Sequence, residues 1–96
     1  MVLINSRVKA SMHQVSSELS GETIMLSLKS GAYFGLDGVG ARIWSLLQQP
    51  IEASEIEEVI IKEYDVEPER CERDLLALLQ ELEKEELIDV EDRTST

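Results

Sequence analysis

The spacing of apolar positions changes near residue 37. Before it they alternate with polar residues, the mark of a half-buried strand; after it they recur about every three or four residues, the mark of an amphipathic helix. Val8, Ala10 and Met12 alternate with Arg7, Lys9 and Ser11, and Val15, Ser17 and Leu19 continue the alternation, so an extended or bent first strand is predicted within 8–19. Ser20-Gly21-Glu22 is a turn. Thr23-Ile24-Met25-Leu26-Ser27-Leu28 is the strongest strand, with a β-branched start and an apolar set at 24, 26 and 28 that should face a core. Lys29-Ser30-Gly31 forms a hairpin turn, and Tyr33-Phe34-Gly35-Leu36 is the third strand of an antiparallel meander.

Asp37 suits the N-cap of a first helix, whose core stripe is Val39, Ile43, Leu46 and Leu47 with Trp44 on its flank. Gln48-Gln49-Pro50 ends it. Ser54-Glu55-Ile56-Glu57 reads as a capping box, serine at N-cap and Glu57 at N3, for a second helix carrying Ile56, Val59, Ile60 and Tyr64 on one side. Pro68 keeps the residue before it extended and suits the first position of a third helix, about 68–86. Leu75, Leu78, Leu79 and Leu82 centre its apolar face, with Leu76 to one side and Cys71, Asp74 and Glu81 on the other. That face is wide enough to cover the sheet and leave a part for a ligand. Residues 1–7 read as a loose arm, Leu87-Ile88-Asp89-Val90 as a short extended end and residues 91–96 as a polar tail. The predicted class is α+β: a winged-helix-like domain over 1–96, core about 8–90, with a three-stranded antiparallel sheet followed by three helices.

A chain of 96 residues holds one small domain. It buries about 60–70% of its unfolded surface, which allows one core but no deep catalytic cavity beside it. Its longest apolar runs are short, such as Val59-Ile60-Ile61, so no transmembrane helix is predicted. The N-terminus lacks the pattern of a signal peptide. Cys71 is the sole cysteine, so no internal disulfide can form, which fits a reducing cytosol. The formal net charge is −11, with most acids after residue 51. That charge repels nucleic acid; the acids read as solvated helix faces, or as an attraction for a basic partner.

Catalytic patterns are missing. His13 is the one histidine and reads as a surface or edge residue; Cys71 has no histidine nearby in sequence and reads as a structural thiol. No CxxC, HExxH, phosphate loop or GxSxG occurs. Gly38-Val39-Gly40 lacks the third glycine of a dinucleotide fingerprint. No enzyme activity, cofactor or metal is expected. Winged-helix-like domains often bind DNA, but the third helix offers only Arg70, Arg73 and Lys84 among many acids. Peptide recognition is the better reading: an exposed third strand accepts an added strand, and the third helix walls the groove.

Gly31-Ala32-Tyr33-Phe34-Gly35-Leu36-Asp37 followed by Gly40-Ala41-Arg42-Ile43-Trp44-Ser45-Leu46-Leu47 resembles the PqqD family, as do Glu55-Ile56, Glu63-Tyr64-Asp65-Val66 and Asp74-Leu75-Leu76-Ala77-Leu78-Leu79-Gln80-Glu81-Leu82. The resemblance spans about residues 15–90, and the order and spacing of these segments carry it. It implies a recognition element for ribosomally made, modified peptides, one that binds a precursor's leader as a strand added beside the third strand, against the third helix. Stand-alone members with an Ile-Trp pair, here Ile43-Trp44, are most similar to those of lasso-peptide biosynthesis, where the leader is presented to a separate cysteine-protease-like peptidase. Others act as peptide chaperones for a radical enzyme in pyrroloquinoline quinone synthesis. The resemblance implicates Ala32, Tyr33, Phe34 and Gly35 on the strand and Asp74, Leu75, Leu78 and Leu82 on the helix. The single cysteine, the charge and the short apolar runs lead to the expectation of a cytoplasmic protein that touches neither nucleic acid nor membrane. One departure is Glu86-Leu87, where a glycine is expected before the last leucine; it bears on how the helix ends, not on the groove.

Overall fold

A computed structural model describes residues 1–91. The polar tail expected at 91–96 lies, from residue 92 on, outside the described residues. The chain runs β1 (Arg7–Ala10), β2 (Gln14–Leu19), β3 (Glu22–Ser27), β4 (Tyr33–Asp37), α1 (Gly38–Leu46), β5 (Ile51–Glu52), α2 (Ala53–Glu63), α3 (Pro68–Lys84) and β6 (Ile88–Glu91). The α+β class and the three helices stand as expected, but there are two small antiparallel sheets rather than one. The meander β2-β3-β4 is one; β5-β1-β6 is the other.

The strand expected within 8–19 breaks in two because its halves find different partners. Val8 pairs Ile51 on one side and Val90 on the other, while Val15 pairs Leu26. Between them Ser11 is buried and caps the bend, its Oγ accepting from the His13 amide at 2.9 Å. Residues 1–7 are not a loose arm. Val2 and Ser6 are buried, and the Ile4 and Ser6 carbonyls accept from the Ser54 and Ala53 amides, both at 2.9 Å.

Those two bonds also move the start of α2. They satisfy amides of its first turn from outside the helix, so the chain turns helical at Ala53 and the capping box falls on Glu52 and Glu55, not on Ser54 and Glu57. Ser54 Oγ instead donates to Glu52 Oε1 at 3.2 Å. Asp37 does hold the N-cap of α1, without a side-chain cap bond. Pro68 opens α3 from an extended Glu67, as expected.

The β3 strand reverses the predicted face. Thr23, Met25 and Ser27 are buried, while Ile24 and Leu28 are exposed. A period of two defines two faces without saying which one meets the core. Here α1, leaving β4 directly, lies on the Met25 side: its Ala41 and Trp44 share a cleft with Ser16 and Thr23. Trp44 is buried rather than flanking. Leu47, Ile56, Leu79, Leu87, Val8 and Met25 fill the centre of the core.

Candidate functional site

Among the described residues strand β4 is an edge, paired to β3 and to no other strand. Ser27 N donates to Ala32 O at 2.9 Å, and this sets the phase of the ladder. In an antiparallel pair, bonded and non-bonded pairs alternate, so Met25–Phe34 and Thr23–Leu36 bond across the pair. The N–H and C=O groups of Tyr33 and Gly35 therefore point away from β3. Among the described residues nothing pairs with them. Tyr33 is 72% exposed, Phe34 half-buried and Ala32 half-buried at the strand's start.

Where β4 runs into α1, a cleft of about 510 Å³ opens between the first turns of α1 and the outer flank of α3. Val39, Gly40 and Ile43 form one wall; Leu75 and Leu78 form the other; Val66 stands at its mouth. Gly40 packs closely: a Cβ there would sit 3.2 Å from Leu36 Cδ2, so a larger residue would need the Leu36 side chain to give by a few tenths of an ångström. Asp65, Glu67, Arg70 and Asp74 give the cleft a polar rim. Asp74 is exposed and lies 3.7 Å from Arg70 one helical turn back, a loose surface pair.

The residues singled out in the sequence divide accordingly. Asp74, Leu75 and Leu78 line the cleft; Tyr33, Phe34 and Gly35 lie on the edge strand β4 and Ala32 just before it, outside the cleft's lining. Leu82 does neither: it is 2% exposed and belongs to the core. Leu75 is equally buried and forms the cleft's base, whereas Leu78 is half-buried with a side left open. Sequence reasoning missed Val39, Ile43 and Val66 as cleft residues. The helical period marks the first two for a core: Ile43 is indeed buried there while facing the cleft, and Val39 is half-buried.

Cys71 also borders the cleft and is buried. Desolvation pushes its thiol pKa up, and the negative charges of Glu57 and Asp74 push it further in that direction. The thiol stays protonated and a poor nucleophile. His13 is exposed in the bend between β1 and β2. Among the described residues no helix is long and apolar enough to cross a membrane.

The family model described as "Coenzyme PQQ synthesis protein D (PqqD)" matches residues 22–88. No curated protein matches the chain. Two solved structures share its fold. One is TbiB1 in complex with the TbiA(beta) leader peptide, 43% identical, with a TM-score of 0.79 over 84% of this chain and 94% of that one. The other is a lasso peptide synthetase B1 complexed with the leader peptide, with a TM-score of 0.75 over 85% of this chain and 96% of that one. At 22% identity the second speaks for the fold alone. With its match running from the first residue of β3 to the first of β6, the chain belongs to the PqqD family.

Proposed function

We propose that this domain binds the leader segment of a ribosomally made precursor peptide as a strand added to β4, and presents it to a separate, cysteine-protease-like leader peptidase in the cytosol. It recruits and positions rather than catalyses. The observation that carries the reading is the open β4 edge ending in the apolar α1–α3 cleft, in a chain 43% identical to one solved with a leader peptide. The guest's inward side chains would lie beside Phe34 and enter the cleft against Leu78, with Leu75 beneath. Asp74, at the rim, would accept from a leader hydroxyl or amide. The family description also fits a peptide chaperone for a radical enzyme; that reading keeps the same site and changes only the enzyme served.

Magnitudes assign the roles. The N–H and C=O groups of Tyr33 and Gly35 allow four hydrogen bonds, roughly 4 kcal/mol at about 1 each. Ordering a flexible peptide costs about 2–5 kcal/mol, so these terms nearly cancel. Micromolar affinity needs about 8 kcal/mol net. Two or three apolar anchors at roughly 1.5–3 kcal/mol each must supply most of it. Strand pairing therefore sets register, and the cleft sets affinity.

Fluorescence anisotropy with a labelled synthetic leader tests both parts. Leu78→Asp places a charge in the cleft and should abolish binding while the circular dichroism spectrum is retained. Tyr33→Pro removes one outward N–H without touching the β3 ladder and should weaken binding. A folded Leu78→Asp protein with wild-type affinity would overturn the cleft as the site.

A further inference from the structure

The β2-β3-β4 sheet has a second open edge. Among the described residues β2 pairs with β3 and with no other strand. Leu28 N donates to His13 O at 2.9 Å, so the residues of β2 that bond to β3 are Val15, Ser17 and Leu19. The N–H and C=O groups of Gln14, Ser16 and Glu18 point the other way, and among the described residues they have no partner. Proteins usually blunt such an edge with a short strand, a proline, a lysine or a bulge. Strand β5 has two residues, and β6 carries Asp89 and Glu91. Strand β2 has no such device: it runs six residues in unbroken register, with Glu18 its sole charge. On its outer face Val15 and Leu19 stand 56% and 71% exposed, with Ser17 between them.

The sequence of β2 is complementary to itself. An antiparallel copy centred on Ser17 sets Val15 opposite the partner's Leu19, and Leu19 opposite the partner's Val15. These fall in the non-bonded pairs, where side chains come closest. Ser17 faces the partner's Ser17 across the axis, small enough for close approach. On the inner face Glu18 falls opposite the partner's Ser16, beside a polar cleft of about 230 Å³ lined by Ser16, Thr23, Ser45 and Gln48. No like charges meet. Moving the axis to Glu18 would set two glutamates opposite each other; moving it to Ser16 would set Val15 against serine and Leu19 against His13.

We propose that the chain forms a two-fold dimer by pairing β2 with β2 of a second copy, in the register centred on Ser17. The strand order becomes β4-β3-β2-β2-β3-β4. Both β4 edges stay at the ends of this joint sheet, about 24 Å apart at roughly 4.8 Å per strand, and each remains open to a guest. The new ladder is short, with roughly four main-chain hydrogen bonds, two for each bonded pair. Such a contact is small beside the interfaces of permanent dimers, and two net charges of −11 oppose it. The dimer is therefore reversible, and added salt strengthens it by screening that repulsion.

Sedimentation equilibrium from micromolar to millimolar protein, at low and high salt, tests this on wild type, Ser16→Pro, Ser17→Asp, Ser17→Lys and Tyr33→Pro. Circular dichroism reports folding in each. Wild type should pass from monomer to dimer as concentration rises, and earlier in high salt. Ser16→Pro removes an outward N–H from each copy, leaves the β3 ladder intact, and should weaken the dimer about tenfold or more. Ser17→Asp and Ser17→Lys each set like charges opposite each other at the axis and should each weaken it. An equimolar mixture of those two chains should dimerise at least as well as wild type, because each then meets its opposite charge. A wild type that stays monomeric at millimolar concentration in high salt overturns the proposal. So does a mixture that associates no better than either variant alone. A dimer that Tyr33→Pro dissolves and Ser16→Pro leaves unchanged lies on β4 and overturns it too. None of these outcomes depends on leader binding.

Discussion

Leu87 donates its backbone N–H to the Leu82 carbonyl at 2.9 Å, closing the end of α3. The closure forces the residue between cap and strand into the left-handed region, and Glu86 occupies it at φ 60°. A non-glycine residue there costs about 1–2 kcal/mol. Replacement by glycine returns about 0.5–1 of that as unfolded-state entropy. Glu86→Gly also removes an exposed ion pair with Lys29 at 3.0 Å, worth little. The variant should be more stable by about 0.5 kcal/mol, a rise of a few degrees in Tm for a domain this small. Differential scanning calorimetry reads it, and a lower Tm would show that the Lys29 contact outweighs the backbone.

Arg42 holds Glu63 with both arms of its guanidinium, Nε to Oε1 and Nη2 to Oε2, each at 2.8 Å, joining α1 to the end of α2. The hydrogen bond from Arg42 holds the Glu63 carboxyl below the usual carboxylate range. A lowered folded pKa contributes stability above the unfolded value, and that contribution fades as pH falls through the folded one. Arg42→Ala should therefore lower Tm near neutrality, less in high salt, and the gap to wild type should close in acid. Melts across pH and salt check this; a gap independent of both would mean that Arg42 acts through packing alone.

Glu57 behaves in the opposite way. Burial raises its pKa, and the charge of Glu72 across the α2–α3 contact raises it further. Among the described residues its buried Oε2 has no hydrogen-bond partner. A carboxyl with a raised folded pKa holds its proton more tightly when folded, so stability grows as pH falls through that pKa and declines above it. Glu57→Gln should stabilise the domain near neutrality, by on the order of 0.5 kcal/mol, and flatten the pH dependence. Chemical denaturation between about pH 5 and pH 7 is the measurement. A variant less stable than wild type at the upper end would assign Glu57 a favourable contact.

The leucines of α3 separate by position. Leu82→Ala removes a core side chain at 2% exposure and should cost about 2–5 kcal/mol. Leu78→Ala, at a half-buried cleft position, should cost less than half as much stability but most of the leader affinity. Paired denaturation and anisotropy curves distinguish them. Equal stability losses would mean that Leu78 is as much a core residue as Leu82.

Much of this was readable in the chain. The meander follows from alternation between turns at Ser20-Gly21 and Gly31, and Gly21 and Gly31 do take positive φ, 82° and 76°. Pro68 marks the start of α3, and the spacing of Leu75, Leu79 and Leu82 marks its core face. Where the family resemblance implies a glycine before Leu87, this chain has Glu86, and Glu86 takes a positive φ of 60°. These features are local: each depends on a residue's own φ preference or on neighbours within a turn.

What the chain alone left undecided depends on contacts between distant segments. Whether Ile24 or Met25 faces the core turns on which side of the sheet α1 packs. Where β1 ends and β2 begins turns on Val8 meeting Ile51 and Val90 rather than on the alternation around it. The start of α2 turns on carbonyls of Ile4 and Ser6, some fifty residues away. Leu78 and Leu82 have the same period and the same side chain, yet Leu78 lines the cleft half-buried and Leu82 is closed in the core. Sequence periodicity determines which residues share a face; tertiary packing decides what that face meets, because burial is a property of neighbours and not of spacing.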